Sequence, residues 1–139
     1  MKIEYAKVSA VGDRTDNQDR AAVVVGEDAA IMLVFDGMGG HSDGARAAEV
    51  GMKVVQDLFT AAKLPIFDPQ GFLYMALARA HDEVVKIGLD QAIDFRPRAT
   101  CAICLAIKKP ETSQFAVIKG SGFSAQISIE RRVVSTADF

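Results

Sequence analysis

The apolar positions divide the chain into strand-like and helix-like stretches. Residues 2–11 and 20–26 are rich in Val, Ala, Ile and Tyr and flank a polar, turn-like stretch from Gly12 to Asp19. This pattern predicts two strands joined by a short loop. Residues 30–35, AIMLVF, are apolar throughout, so a third strand buried on both faces is expected, ending at Asp36-Gly37-Met38-Gly39-Gly40. A helix follows, with Ser42 or Asp43 as N-cap, Ala48, Val55, Leu58, Phe59 and Ala62 on one face, and Pro65 beyond its end. A second helix has Asp68 as N-cap, Pro69 in the first helical position and a stripe of Leu73, Leu77, Ala80, Val84 and Ile87, with Gly88 as its stop. In residues 98–108 the odd positions Cys101, Ile103, Leu105 and Ile107 are large and the even positions Thr100, Ala102, Cys104 and Ala106 are small. A strand buried on both sides is expected there, its small face suited to a closely lying helix. Residues 114–119 and 123–129 predict two more strands around Gly120-Ser121-Gly122. The order βββ-αα-βββ, strands grouped around a helical hairpin, indicates an α+β fold.

With 139 residues the chain has the size of one domain, residues 1–139. Sixteen basic residues against eighteen acidic ones give a formal net charge of −2, and the densest basic spot is only Arg131-Arg132, so no nucleic-acid partner is expected. The longest apolar runs, Ala29 to Phe35 and Cys101 to Ile107, fall far short of the roughly 20 residues that span a bilayer. The opening MKIEYAKVSAVGDR lacks the apolar region of a signal peptide. A cytoplasmic protein with no membrane partner is the expectation. Cys101 and Cys104 form a C-x-x-C, but they lie in the apolar strand ATCAICLAI, and residues three apart on a strand face opposite ways. Interior thiols are expected rather than a redox pair or a zinc site.

Two loops concentrate the candidate chemistry: Gly12 to Arg20, containing Asp13, Arg14, Asp16 and Asp19, and Asp36 to His41. Carboxylates meeting on one rim of a sheet, beside a glycine that exposes its carbonyl, suit a hard cation such as Mg²⁺ or Mn²⁺. Such a site activates water and shields the charge of a phosphate, and an arginine nearby clamps phosphate oxygens. The same residues also make ordinary turns, because Asp-Gly after an apolar strand is a common turn signal. No Lys-Ser/Thr follows the glycines, so a P-loop is excluded.

VFDGMGGH (Val34 to His41), preceded by RTDNQD (Arg14 to Asp19), resembles the bacterial branch of the protein phosphatase 2C family, the metal-dependent serine/threonine phosphatases. PRATCAICLAI is similar to that family's G-T-T-strand segment, and Val134 to Phe139 to its L-T-x-D-H. The resemblance implies an αββα sandwich of which the chain holds the N-terminal part, and hydrolysis of phosphoserine or phosphothreonine in proteins with a two-metal Mg²⁺ or Mn²⁺ site. It implies that Asp36 bridges the metals, Gly37 offers its carbonyl to one of them, Asp19 supports the centre, Arg14 binds the substrate phosphate and His41 is the general acid.

Gly120-Ser121-Gly122-Phe123 stands where the family carries Gly-Asp-Ser-Arg, and the later metal-holding aspartates have no counterpart. The alternative reading is an inactive pseudophosphatase or a dimeric interaction module, with a phosphoprotein or a kinase as partner. A half sandwich should also leave Ile103, Leu105, Ile107, Phe123, Ile127 and Ile129 without a covering layer. The expected remedy is a homo-oligomer that completes the sandwich.

Overall fold

The computed structural model describes residues 3–11, 13, 15–38, 42–90, 97–108, 112–121 and 132–135, the last two stretches as backbone. Five strands and two helices follow in the order β1 (Asp19–Val25), β2 (Ala29–Met38), α1 (Ser42–Ala61), α2 (Pro69–Asp90), β3 (Arg98–Lys108), β4 (Thr112–Ser121) and β5 (Arg132–Ser135). The strands form one antiparallel sheet in the order β1-β2-β3-β4-β5. The helical hairpin enters between β2 and β3, so these two strands pair although some 60 residues separate their ends.

The α+β class holds, and three details of the expected elements change. Residues 3–11 join no ladder; Lys7 Nζ donates to the Ala21 carbonyl at 3.0 Å on the outer edge of β1. Strand propensity needs a face to pack on, and Tyr5 and Val8 have none, being 57% and 88% exposed. The strand expected at 114–119 runs on to Ser121, through part of the expected turn. The one expected at 123–129 lies outside the described residues. Finally, α2 continues through Gly88 to Asp90. A helical glycine costs about 1 kcal/mol, and the buried Ile87 holds this turn against the layer beneath.

The helix signals near residue 68 are borne out. Asp68 Oδ1 accepts the Gly71 N–H at 2.9 Å, and the Asp68 carbonyl accepts that of Phe72 at 3.0 Å, so an N-cap precedes Pro69. Phe59 of α1 meets Phe72 of α2 edge to face, with ring centroids 6.4 Å apart. No described helix is long and apolar enough to cross a membrane.

The side of the sheet that the helices cover is a correction. Ile31, Leu33 and Phe35 of β2 and Cys101, Ile103, Leu105 and Ile107 of β3 are buried with Ala48, Val55 and Phe59 of α1 and Leu73, Ala76 and Ala80 of α2. The large side chains of β3 thus lie under the hairpin, and Ile103, Leu105 and Ile107 are covered, not bare. The expected close approach is achieved from the other partner, because α1 presents Ala47, Ala48 and Gly51 to the strands. A Cβ on Gly51 would sit 2.8 Å from the Phe35 ring. Burying the large face removes more apolar area from water, which decides the orientation. The opposite face of β2 is open: Met32, Val34 and Met38 are exposed, Val34 by 53%, so β2 is covered on one face only.

At the end of β2 the first turns of α1 press on the strand. The Gly37 N–H donates to the Gln18 carbonyl at 3.2 Å. A Cβ on Gly37 would collide with the Gly44 carbonyl; one on Gly44 would lie 2.5 Å from Gln18 Oε1 and 3.1 Å from the Met38 carbonyl. Three chain segments meet here at backbone distance, with room for no side chain.

Two stability measurements check this packing. Ile103→Ala should lower the unfolding free energy in urea by about 2–5 kcal/mol, as for a covered core position; a loss below about 1 kcal/mol would mean that the helices lie on the other face. Gly44→Ala should destabilise despite alanine's helix preference of about 1 kcal/mol, because the junction must open. A stabilised Gly44→Ala variant would show that α1 does not press on β2 there.

Candidate functional site

The acidic residues singled out from the sequence converge. Asp19 begins β1, Asp36 lies near the end of β2, and the two are direct partners across the ladder. Opposed residues of an antiparallel pair share a face, with Cβ atoms about 5 Å apart. That face is the open one, and both aspartates are exposed. The register continues the row to Thr100 of β3 and, in backbone, to Ser121 of β4. A row of polar residue types therefore crosses four strands at one end of the sheet. The neighbouring positions on β1, β2 and β3 are Ala21, Val34 and Ala102, then Val23, Met32 and Cys104.

The loop before β1 is built to hold Asp19. Asn17 Oδ1 accepts the Asp19 N–H at 3.0 Å, an Asx-type turn, while Asn17 Nδ2 donates to Ser9 Oγ at 2.8 Å. Arg20 Nη1 donates to the carbonyls of Asn17 and Asp19, each at 2.9 Å. Gln18 is the buried polar residue among those described, and it packs against Gly44. Asn17, Gln18, Arg20 and Gly44 were not among the expected site residues. Gly44 left a signal, since a glycine in the first turns of an otherwise regular helix marks a close approach.

Asp36, Gly37 and Asp19 are thus brought to one corner. Arg14 and His41 lie outside the described residues. The oxygen donors at this corner fit Mg²⁺ or Mn²⁺ in kind and fall short in number: among the described residues no three His, Cys, Asp or Glu side chains gather to hold a metal. Two carboxylates and a backbone carbonyl leave half of an octahedral shell to be filled from elsewhere. The C-x-x-C is interior only in part. Neither thiol forms a disulfide; Cys101 is buried under the helices as expected, whereas Cys104 is half-buried on the open face, and that partial burial pushes its pKa up, which opposes thiolate formation.

No family model matches the sequence, and no curated protein matches it either. Solved structures do. A stage II sporulation E family protein from Thermanaerovibrio acidaminovorans is 26% identical, with a TM-score of 0.54 over 71% of this chain and 44% of that one. The Mycobacterium tuberculosis serine/threonine phosphatase PstP/Ppp is 19% identical, with a TM-score of 0.56 over 76% of this chain and 41% of that one. The PstP catalytic domain in complex with two manganese ions is 18% identical, with a TM-score of 0.56 over 85% of this chain and 49% of that one. The chain therefore spans less than half the length of each of these three. The shared fold and the partial coverage agree with the motif resemblance: this chain has the phosphatase 2C-like fold, in an N-terminal part of that domain.

Proposed function

We propose that this chain contributes one side of the site of a metal-dependent phosphatase acting on phosphoserine and phosphothreonine in proteins. The observation that carries this reading is the direct pairing of Asp19 with Asp36 beside Gly37, on the open face. Asp36 and the Gly37 carbonyl would hold the metal, and Asp19, held in place by Asn17 and Arg20, would support it. Arg14 holds the substrate phosphate and His41 supplies a proton to the leaving oxygen. The PstP domain supports the reading because its structure holds two manganese ions. Divalent cations at such a corner, Mg²⁺ or Mn²⁺, activate water and shield phosphate charge. The remaining oxygen donors come from outside the described residues. The test is hydrolysis of p-nitrophenyl phosphate with and without Mn²⁺. Mn²⁺-dependent turnover should fall about a hundredfold or more in Asp36→Asn, a loss of about 3 kcal/mol in barrier lowering. No turnover in the unaltered chain would overturn the reading.

The open face favours a second reading, a phosphoprotein- or kinase-binding module without hydrolysis, in which this face packs on a second copy. Met32 and Val34 form an exposed apolar surface of the kind that marks association sites. Sedimentation should then give a dimer mass that Val34→Asp returns to monomer. A monomer at every concentration would rule out the self-association.

A further inference from the structure

The polar row has a cation beside it to which the motif resemblance assigns no role. Arg98 opens β3 and is exposed. Its ladder partner is Met38, while Asp36 pairs with Thr100 two residues further along. Ala99 packs against the core, so Arg98 and Thr100 stand on the other face, the open one that carries Asp19 and Asp36. Arg98 is therefore the diagonal neighbour of Asp36, about 7–8 Å away in backbone and within reach of a long side chain. Arg20, the other described arginine near the row, is committed to the loop carbonyls. No hydrogen bond or ion pair engages Arg98 among the described residues.

We propose that Arg98 anchors the phosphate group of a phosphomonoester bound over Asp19, Asp36 and Thr100. This rests on the hydrolase reading above and adds a residue to it. A dianionic phosphate bound at this corner faces the carboxylates of Asp19 and Asp36, so further positive charge on the same face strengthens its binding. A guanidinium supplies that charge with paired N–H donors matched to phosphate oxygens. The row of carboxylates alone offers no such donor. Arg98 holds the first position of β3, two residues before Thr100, the ladder partner of Asp36. Arg98 is thus an anchoring residue, with no part in the bond-breaking step.

Inorganic phosphate titrated calorimetrically into the full chain with millimolar Mg²⁺ tests this. The unaltered chain should bind phosphate, and Arg98→Ala should weaken binding about tenfold or more. Arg98→Lys should restore only part of it, because an ammonium lacks the planar fork. Arg98 is exposed, so thermal unfolding of both variants should match the unaltered chain. Equal phosphate affinity in Arg98→Ala, or no phosphate binding by the unaltered chain, would overturn the assignment. Kinetics separate it from the hydrolase reading. Turnover of p-nitrophenyl phosphate with KM unchanged in Arg98→Ala removes Arg98 and keeps the hydrolase. Phosphate binding that depends on Arg98 without any turnover removes the hydrolase and keeps Arg98.

Discussion

The backbone junction of Gly37, Gly44 and Gln18 fixes where everything else lies. A side chain at Gly37 would overlap the Gly44 carbonyl and one at Gly44 would crowd Gln18 Oε1 and the Met38 carbonyl, so the first turns of α1 rest on the end of β2 most closely with glycine at both positions. That contact sets the height of α1 over the sheet. Gly51, two turns on, continues the close approach against Phe35. Once α1 lies this near, the buried stripe of Ala48, Val55 and Phe59 must face Ile31, Leu33 and Phe35, and the helical hairpin has one side of the sheet available. The same junction holds Gln18 next to Gly37, and Gln18 precedes Asp19. The packing of a helix thereby aligns two carboxylates on the far side of the sheet.

Much of this was legible in the sequence, because local chemistry and periodicity act over short distances. Asp68 and Pro69 announced α2, and the side chain of Asp68 does cap it. The acidic loops announced a shared rim, and Asp19 and Asp36 are ladder partners. The faces were not legible. Residues 98–108 alternate large and small, a pattern equally compatible with a helix over either side. The answer lay in α1, whose glycines and alanines supply the small surface. Residues 3–11 have strand composition, yet a strand exists only with a partner ladder, and no local pattern encodes that partner. Arg98 escaped notice for a related reason: it lies 62 positions from Asp36 in sequence and is its diagonal neighbour only through the β2–β3 register.

The two faces of the sheet have separate tasks. The covered face holds the large aliphatic side chains and supplies the burial that stabilises the fold. The open face is graded along the strands. From Val23, Met32 and Cys104 it passes through Ala21, Val34 and Ala102 to the row of Asp19, Asp36 and Thr100. An apolar field that ends in an acidic rim separates association from chemistry on a single surface. A partner can take the aliphatic part without touching the carboxylates.

This grading constrains what can cover the open face. Two carboxylates about 5 Å apart repel by about 1 kcal/mol in water and by about 3 kcal/mol at the effective dielectric constant of a protein surface. Exposed as they are, Asp19 and Asp36 stay near the lower figure, and the β1–β2 pair tolerates them. A layer laid over the whole face would strip away that water and raise the cost. It must therefore stop at the row of Ala21, Val34 and Ala102, or bring positive charge to the rim. A cation between the carboxylates, or the Arg98 guanidinium drawn over them, meets the second condition. Closure of the apolar face and occupation of the polar row are then coupled events, since each removes the electrostatic objection to the other.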